Sequence, residues 1–440
     1  MGILNALSTA VTGLSSQSYA LENISGNIAN SQTIGFKRVD TSFVDLIPDQ
    51  PARHEVAGAV GAFSQLTNTL PGTSKTTGIS TNMALNGDGF FVVQENTGSS
   101  SSPTFNGGNI FTRRGDFAVD ASGYLVNGSG KYLVGNVAGA GNSPIKVATT
   151  PLPAKKSGTV TYQANIPSYP KTANADPTVV GSELLSSTLA SGASISATDT
   201  PAFLKQSISG GEVTAYDAAG SAVTMQMRWA KTDSSSSGGT DTWALYYETD
   251  ANATGTAAQW AKVGTSTFSA AGKLTSGSTM SISSLSINGT TVGAVTVDFG
   301  TGNLTQYANA SGELSSANIQ QDGYTTGNLN SLAVTNDGRL IGNYSNGQVS
   351  TIANVLVAQF NASDALKRLD GGAYAQTIDS GSPVYGLQGS TVSGGAVEMS
   401  NTDISDEFSK MIVTQQAYSA NTKVMSTAQQ MLQDIINVIR

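Results

Sequence analysis

Few residues of this chain are of the types that carry out catalysis. Its 440 residues include one histidine, His54, and no cysteine. A chain without cysteine has no thiolate nucleophile, no disulfide and no sulfur-ligated metal centre. His54 lies in a proline-containing stretch with no neighbouring motif to orient its imidazole. Acid–base chemistry would therefore have to come from paired carboxylates.

The carboxylates that stand in recognisable motifs all lie in predicted turns. Asp120, Asp217 and Asp337 are each followed by a glycine within three positions, as is typical of hairpin turns. Gly87 and Gly89 are not followed by the Lys-Ser/Thr pair of a phosphate loop. No Asp-x-Asp-x-Asp-Gly calcium loop occurs. The sequence predicts no enzyme, no cofactor and no metal site.

Composition narrows the class of partner. Charged residues make up 12% of the chain, against about 25% in ordinary soluble domains. The net charge is -8, and the sequence has no cluster of basic residues that could bind phosphates. Both features argue against a nucleic-acid partner. No run approaches the roughly 18 apolar residues of a membrane span. The length suits about three domains of 100–200 residues each.

The strongest spacing signal is a seven-residue apolar repeat at both ends of the chain. A strict heptad keeps one seam of a helix facing a partner helix, so it specifies coiled coils. Two such seams in one chain predict helices that pair with each other, with neighbouring copies, or both. The predicted self-assembly seam consists of Leu7, Leu14, Leu21 and Ile28 near the N-terminus and Ile404, Met411, Tyr418, Met425, Leu432 and Ile439 near the C-terminus.

The elements that carry these seams are two long helices. Residues 3–28 predict an amphipathic helix. Its mediocre helix formers predict a helix that is frayed in the monomer and ordered only on assembly, and the alternative is a helix packed on its own domain. The last helix is expected after Gly394-Gly395, capped by Thr402 or Asp403, with acidic residues at its positive end. The first cation is Lys37, so no basic segment precedes an apolar run and no cleaved secretory signal is expected.

Between the helices the pattern is mainly β. Alternating apolar residues and turns such as Asp120–Gly123, Ile287–Gly289 and Asn336–Gly338 predict short paired strands. The predicted fold is mixed, mainly β, with N- and C-terminal α-helices that pair as a coiled coil and an inner β-domain that carries an inserted outer all-β domain. The predicted ranges are 1–33 with 400–440 for the helical domain, 34–69 for an extended linker, 70–144 with 325–399 for the inner β-domain and 145–324 for the outer one.

Two sequence motifs, one at each end of the chain, resemble those of a known family. The first helix ends in Asn27-x-Ala29-Asn30, followed by Thr33-x-Gly35-Phe36-Lys37. The last helix opens with Ser400-Asn401-x-Asp403 and continues through Gln415-x-Ala417-Tyr418-x-Ala420-Asn421. Together with the Gly87–Phe91 run and Tyr344–Gly347, these motifs resemble the flagellar rod, hook and basal-body protein family. Hook proteins fit better than rod proteins, which are generally shorter and lack a large outer domain.

The resemblance implies a structural role outside the cell. A hook subunit self-assembles into the curved, flexible tube that links the motor and rod to the filament in swimming bacteria. Its implied partners are further copies of itself, the distal rod protein, the hook cap, the hook-filament junction protein, the hook-length control protein and the flagellar type III export apparatus. The implied location is the extracellular flagellar hook and basal body, reached without a cleaved signal peptide.

Two other functions are compatible with parts of the sequence. A distal rod protein would share both terminal signatures. An extracellular adhesin or glycan-binding β-protein would use the polar 145–324 block, but it leaves the heptads at both termini unexplained.

The heptads generate a direct test. Leu432→Asp places a charge on the seam, where each apolar residue is worth roughly 1.5–3 kcal/mol when buried. We expect the substitution to abolish polymer formation at ordinary protein concentrations, because it should raise the critical concentration at least about tenfold. Melting of the 70–399 region should stay unchanged. Polymers of normal length from this variant would remove the coiled-coil argument.

Overall fold

The structure is a computed structural model that describes residues 2–46, 59–99, 102–105, 107–148 and 150–439. The side chains of residues 438 and 439 are outside this description. It contains two compact units. One comprises Met1–Thr149, Leu329–Asn343 and Val349–Arg440, and the other comprises Thr150–Asn328 and Tyr344–Gln348. Most described residues outside the two terminal helices lie in strands, turns and loops, which confirms the mainly β prediction.

The helices are α1 (Gly2–Ala29), α2 (Ser187–Ala190), α3 (Thr200–Leu204) and α4 (Ile404–Ile439). The first half of the strands is β1 (Val39–Leu46), β2 (Ala59–Leu66), β3 (Ser74–Thr76), β4 (Met83–Asn86), β5 (Phe90–Glu95), β6 (Ile110–Thr112), β7 (Phe117–Val119), β8 (Leu125–Asn127), β9 (Lys131–Val137), β10 (Gly141–Pro144), β11 (Thr159–Asn165), β12 (Ser194–Ser196), β13 (Ile208–Tyr216), β14 (Ala222–Asp233) and β15 (Thr242–Glu248). The second half is β16 (Ala258–Phe268), β17 (Leu274–Ser276), β18 (Thr279–Ile287), β19 (Thr290–Asp298), β20 (Leu304–Thr305), β21 (Ser315–Gln321), β22 (Leu329–Val334), β23 (Arg339–Tyr344), β24 (Val349–Val355), β25 (Val357–Gln359), β26 (Lys367–Leu369), β27 (Ala373–Ala375), β28 (Val384–Tyr385), β29 (Thr391–Gly394) and β30 (Ala396–Glu398).

The unit that holds both chain ends is built on a sheet whose main path runs β22-β23-β24-β9-β5-β6-β27-β26. One face of this sheet packs an aliphatic core with Phe91 and Phe117 edge to face at 5.9 Å. The other face buries Phe90, Phe111 and Tyr374. The predicted hairpin at Asp120–Gly123 is confirmed, since β7 and β8 pair antiparallel across it.

The other unit contains two sheets, ordered β18-β19-β11-β20 and β12-β16-β15-β14-β13, with further strands at their margins. Its largest core packs Tyr162, Trp229 and Phe299 with ring centroids 5.5 to 6.1 Å apart. The Trp229 indole donates to the Tyr162 hydroxyl, which donates to Gly210 O, so the polar groups of these two side chains are paired. The predicted turn at Ile287–Gly289 is confirmed between β18 and β19.

The structure differs from the extended linker predicted for residues 34–69. β1 and β2 form an antiparallel ribbon in which Phe43 lies opposite Ala62 and Ser42 opposite Phe63. The ribbon packs on α1, where Ser16 donates to Val60 O. Both of its faces are only partly buried, so no apolar alternation marked it in the sequence. His54 lies outside the described residues.

A second difference concerns the run from Val355 to Phe360, whose mostly apolar sequence by itself predicts one buried strand. It divides at Leu356 into β24 and β25 because the chain changes its pairing partner there. Val355 lies opposite Gly135 of β9, whereas Val357 lies opposite Phe91 of β5. Such a change of partner depends on tertiary pairing, which the local sequence does not encode.

One glycine of the end-bearing unit tests the packing of its sheet. A Cβ added to Gly115 would lie 1.7 Å from Met83 O, whose own amide donates to Gly115 O. Gly115→Ala should therefore destabilise the unit by about 1–3 kcal/mol, as overpacking does. In a melting experiment, each kcal/mol lowers the midpoint by about 2–4 °C in a domain of this size. Gly108→Ala is the matched control, because nothing lies within 4 Å of its added Cβ. Equal melting of both variants would contradict the predicted clash.

Candidate assembly surface of the terminal helices

The two chain ends meet as an antiparallel helix pair. Gly13 lies against Asn421, since a Cβ atom built on Gly13 would be only 3.0 Å from the Asn421 amide nitrogen. Asn27 lies beside Glu407. The buried residues of α1 are mostly small ones: Ala10, Gly13, Ser16, Ala20, Ile24 and Asn27. Small side chains let two helix backbones approach closely. The larger side chains are therefore left at the margins of the contact.

A polar cluster fixes the register of this pair. The Asn27 amide donates to Val39 O and to Glu407 Oε2, both at 2.9 Å, and its carbonyl oxygen accepts from Val39 N. Glu407 is completely buried and also accepts from Lys410, which reaches Asp40 as well. Burial alone would lower the pKa of Lys410, but its hydrogen bonds to Glu407 and Asp40 raise this pKa above its usual value. Through its own hydrogen bonds, Asn27 joins α1, β1 and α4.

The segment after α1 is held in a tight exit turn. The Asn30 amide donates to Gly26 O, its carbonyl oxygen accepts from the Thr33 hydroxyl, and Ala29 is the last residue of α1. Gly35 has φ +68°, and an added Cβ would lie 2.6 Å from Arg114 N, so both its conformation and its space require glycine. Phe36 is buried under the Arg368 guanidinium, 4.9 Å from the ring centroid.

Lys37, the last residue of that signature, belongs to a buried ion cluster. Its ammonium contacts Glu398 at 2.5 Å and donates to Leu70 O at 2.7 Å. Arg113 contacts the other oxygen of Glu398 at 3.3 Å and donates to Gly87 O. Burial lowers the pKa of Lys37, while Glu398 acts in the opposite direction. The side chains of all three charged residues are at most 4% exposed, so the single carboxylate balances two desolvated cations.

Asn401 ties the start of α4 to the same region. Its carbonyl oxygen accepts from Arg38 N at 2.8 Å, and its amide donates to Thr67 O. Asp403 caps α4, since its carboxylate accepts from Ser405 N at 2.8 Å and Asp406 N at 3.3 Å. The predicted choice between Thr402 and Asp403 is thereby decided in favour of Asp403.

The predicted seam residues lie beside the line of closest contact. Ile404 and Tyr418 are exposed, at 40% and 41%. The other seam residues with described side chains are half-buried: Leu7, Leu14, Leu21, Ile28, Met411, Met425 and Leu432. Ile439 ends α4, but its side chain lies outside the described residues. The α4 side chains that are buried instead are Glu407, Thr414 and Ala428.

Sequence reasoning missed the polar residues that join these segments. Glu398 ends the short strand β30, and Arg113 follows the short strand β6. The two residues are 285 positions apart, and no sequence pattern predicts contacts over such a separation. Glu407 is one of the acidic residues that the sequence predicts at the positive end of α4, but its side chain is buried against Asn27. The available signals were Asn27 and Lys37 in the N-terminal motif and Asn401 in the C-terminal motif.

The turn carboxylates have local roles. Asp217 accepts from Ser221 N and Ala219 N, and these hydrogen bonds lower its pKa. Hydrogen bonds from Thr335 and Arg339 lower the pKa of Asp337, and Asp120 accepts from Tyr124 N. Within the described ranges, no group of three or more His, Cys, Asp or Glu could hold a metal ion. No described helix is long and apolar enough to cross a membrane.

Three family profiles match most of the chain outside its first 83 residues. They are "Flagellar hook protein FlgE/F/G D1 domain" over residues 84–168, "Flagellar basal body protein FlaE D2 domain" over 185–324 and "Flagellar basal body rod FlgEFG protein C-terminal" over 393–438. The flagellar hook protein FlgE of Salmonella typhimurium is 30% identical over 98% of this chain and 100% of its own length. The chain belongs to the flagellar hook protein family.

A further relative matches the whole chain, and a solved structure matches part of it. The flagellar hook protein FlgE of Rhizobium meliloti is 28% identical over 100% of both chains. The crystal structure of Helicobacter pylori flagellar hook protein FlgE2 aligns with a TM-score of 0.51 and 16% identity, covering 75% of this chain and 100% of that one. This last likeness concerns the fold alone.

The ion cluster gives a test of what joins the chain ends of this hook-family protein. Glu398→Gln leaves Lys37 and Arg113 buried without an anion, which should destabilise their unit by about 3–5 kcal/mol. Glu95→Gln is the matched control, since it removes the same kind of carboxylate from the exposed Lys131 pair and should change little. Thermal melting followed by circular dichroism measures both variants. An unchanged midpoint for Glu398→Gln would refute the role given to the cluster.

Proposed function

We propose that this chain is a structural subunit that self-assembles into the flagellar hook, the curved flexible tube between the rod and the filament. The observation that carries the proposal is full-length similarity to hook proteins in a chain whose terminal helices leave apolar side chains uncovered. A sizeable exposed apolar surface marks an interaction site. A head-to-tail contact that does not close on itself builds a helical filament.

Assembly is assigned to the terminal helices, with α1 and α4 as a coiled coil whose predicted seam faces neighbouring copies. The exposure of Ile404 and Tyr418 supports this assignment, because α1 does not cover them. Half-buried seam residues such as Leu14 and Leu432 would complete their burial in the polymer. The signature Asn27, Ala29, Asn30, Thr33, Gly35, Phe36 and Lys37 then serves to fix the exit from α1.

The remaining chain is assigned to two β-domains. The inner one comprises 70–144 with 325–399, and the outer one is inserted at 145–324. Division of the structure into two compact units supports an insertion near these positions. In this assignment the outer domain contributes to the surface of the tube and performs no chemistry.

Location and partners follow from the same proposal. The subunit would lie in the extracellular hook and leave the cell through the flagellar type III export apparatus without a cleaved signal peptide. It would contact the distal rod protein at one end of the tube and the hook-filament junction protein at the other. The hook cap and the hook-length control protein would act during assembly.

Negative-stain electron microscopy of concentrated full-length protein tests the proposal, beside a variant lacking residues 1–33 and 400–440. We expect curved tubes from the full chain and none from the truncated chain, because the truncation removes both helices. Circular dichroism of the truncated chain controls for folding of its β-structure. Straight rods would favour a rod protein, and monodisperse particles at every concentration would contradict self-assembly.

A further inference from the structure

The helix pair has an apolar groove at the end that contains the start of α1. The groove encloses about 470 Å³. Its floor is formed by both helices, mainly by Ile3, Ala6, Ala420, Val424, Thr427 and Met431. Val424 and Met431 are each 49% exposed, so the described residues of this chain do not cover them. Because both helices contribute, the groove exists only once the chain ends have paired.

An apolar ridge lies nearer the other end of α4. Ile404, Phe408 and Ile412 recur every four residues and therefore form one stripe on the helix surface. Phe408 and Ile412 are 49% and 55% exposed. The ridge is convex and centred on an aromatic ring, whereas the groove is concave and lined by small and flexible side chains.

The positions of ridge and groove around α4 suit an open-ended array. Val424 follows Phe408 by sixteen residues, which is roughly 24 Å along the helix and roughly 160° around it. A self-complementary patch would close a dimer, but two different patches on opposite sides of one helix join copies side by side without closure. Each added copy would present a new ridge and a new groove.

The residues around both surfaces favour a second copy as the occupant. Among the groove-lining residues Lys423 is the sole charged one, and Ser405 and Ser409 flank the ridge on its polar side. Seating one on the other therefore desolvates no ion pair. The arc of α4 between ridge and groove is polar, with exposed residues such as Ser405, Ser409 and Gln416, so it can stay in water when both sides are covered.

Resting on the proposed hook function, we propose that the Ile404–Phe408–Ile412 ridge of one copy seats in the Val424–Met431 groove of the next copy, with the two α4 helices parallel. Neighbouring helices are then displaced by roughly 24 Å along their axes, since Phe408 of one lies beside Val424 of the other. This contact supplies the lateral bond of the polymer.

The absence of cysteine from the chain makes the contact testable by cross-linking. The variant with both Phe408→Cys and Val424→Cys is assembled into tubes, treated with a short bis-maleimide and run on a denaturing gel. We expect a ladder of covalent oligomers containing most of the subunits, because each copy is linked to two neighbours. The variant with Phe408→Cys and Gln430→Cys is the control. Gln430 is exposed but does not line the groove and lies roughly 120° around α4 from Val424, so this variant should give at most a faint dimer band.

The outcomes separate the contact from the proposed function. Tubes whose Phe408/Val424 variant gives no more ladder than the control overturn the ridge-and-groove contact and leave the hook function standing. Failure of the unmodified chain to form tubes contradicts the hook function itself. If the cysteine variants do not assemble, a helical reconstruction of unmodified tubes decides. A Phe408 side chain in contact with Val424 of a neighbour supports the contact, and any other pairing of these surfaces overturns it.

Discussion

The arrangement of the chain ends depends on one buried carboxylate. Glu398 accepts from Lys37, from Arg113 and from Gly72 N, and its own carbonyl accepts from Gly35 N. Removing a carboxylate and two cations from water is costly unless each finds its partners, so these segments must arrive together. The exit from α1, the loop before β3 and the strand before α4 are therefore fixed by the same atoms. This position determines where both helices begin to approach each other.

The close approach of α1 and α4 has a consequence for their large side chains. Gly13, Ala20 and Ala428 occupy the contact, and Glu407 with Asn27 sets its register. Polar groups at buried helix positions fix alignment at some expense of stability. The larger seam residues, such as Leu14 and Leu432, are displaced to the flanks, where one partner helix covers them only in part. A pair built in this way leaves apolar side chains partly uncovered, and in the proposed assembly neighbouring chains would complete their burial.

The elements were more predictable than the contacts between them. Heptads and the Asp403 cap indicated both terminal helices, and turn residues such as Asp120–Gly123 indicated hairpins, because those signals are local. The β1–β2 ribbon escaped prediction since its faces are too evenly exposed to alternate. The Lys37–Glu398 pair spans 361 positions, and no spacing rule relates residues so far apart. The heptad repeat predicted which positions share a stripe on each helix. The closest contact between α1 and α4, however, is formed by the small residues next to that stripe.

The polar residues of the chain are mostly uncharged, and its charged residues are few. With 12% of residues charged, most surface polarity comes from Ser, Thr, Asn and Gln, which can be covered by a neighbour at lower cost than ions can. Buried charges such as Lys37 and Glu407 are paired within the chain. Intramolecular ion pairs therefore define the shape of the subunit, while uncharged and apolar surfaces remain for contact between subunits. A surface rich in charge would resist such contacts, because every ion covered by a neighbour would need a new partner.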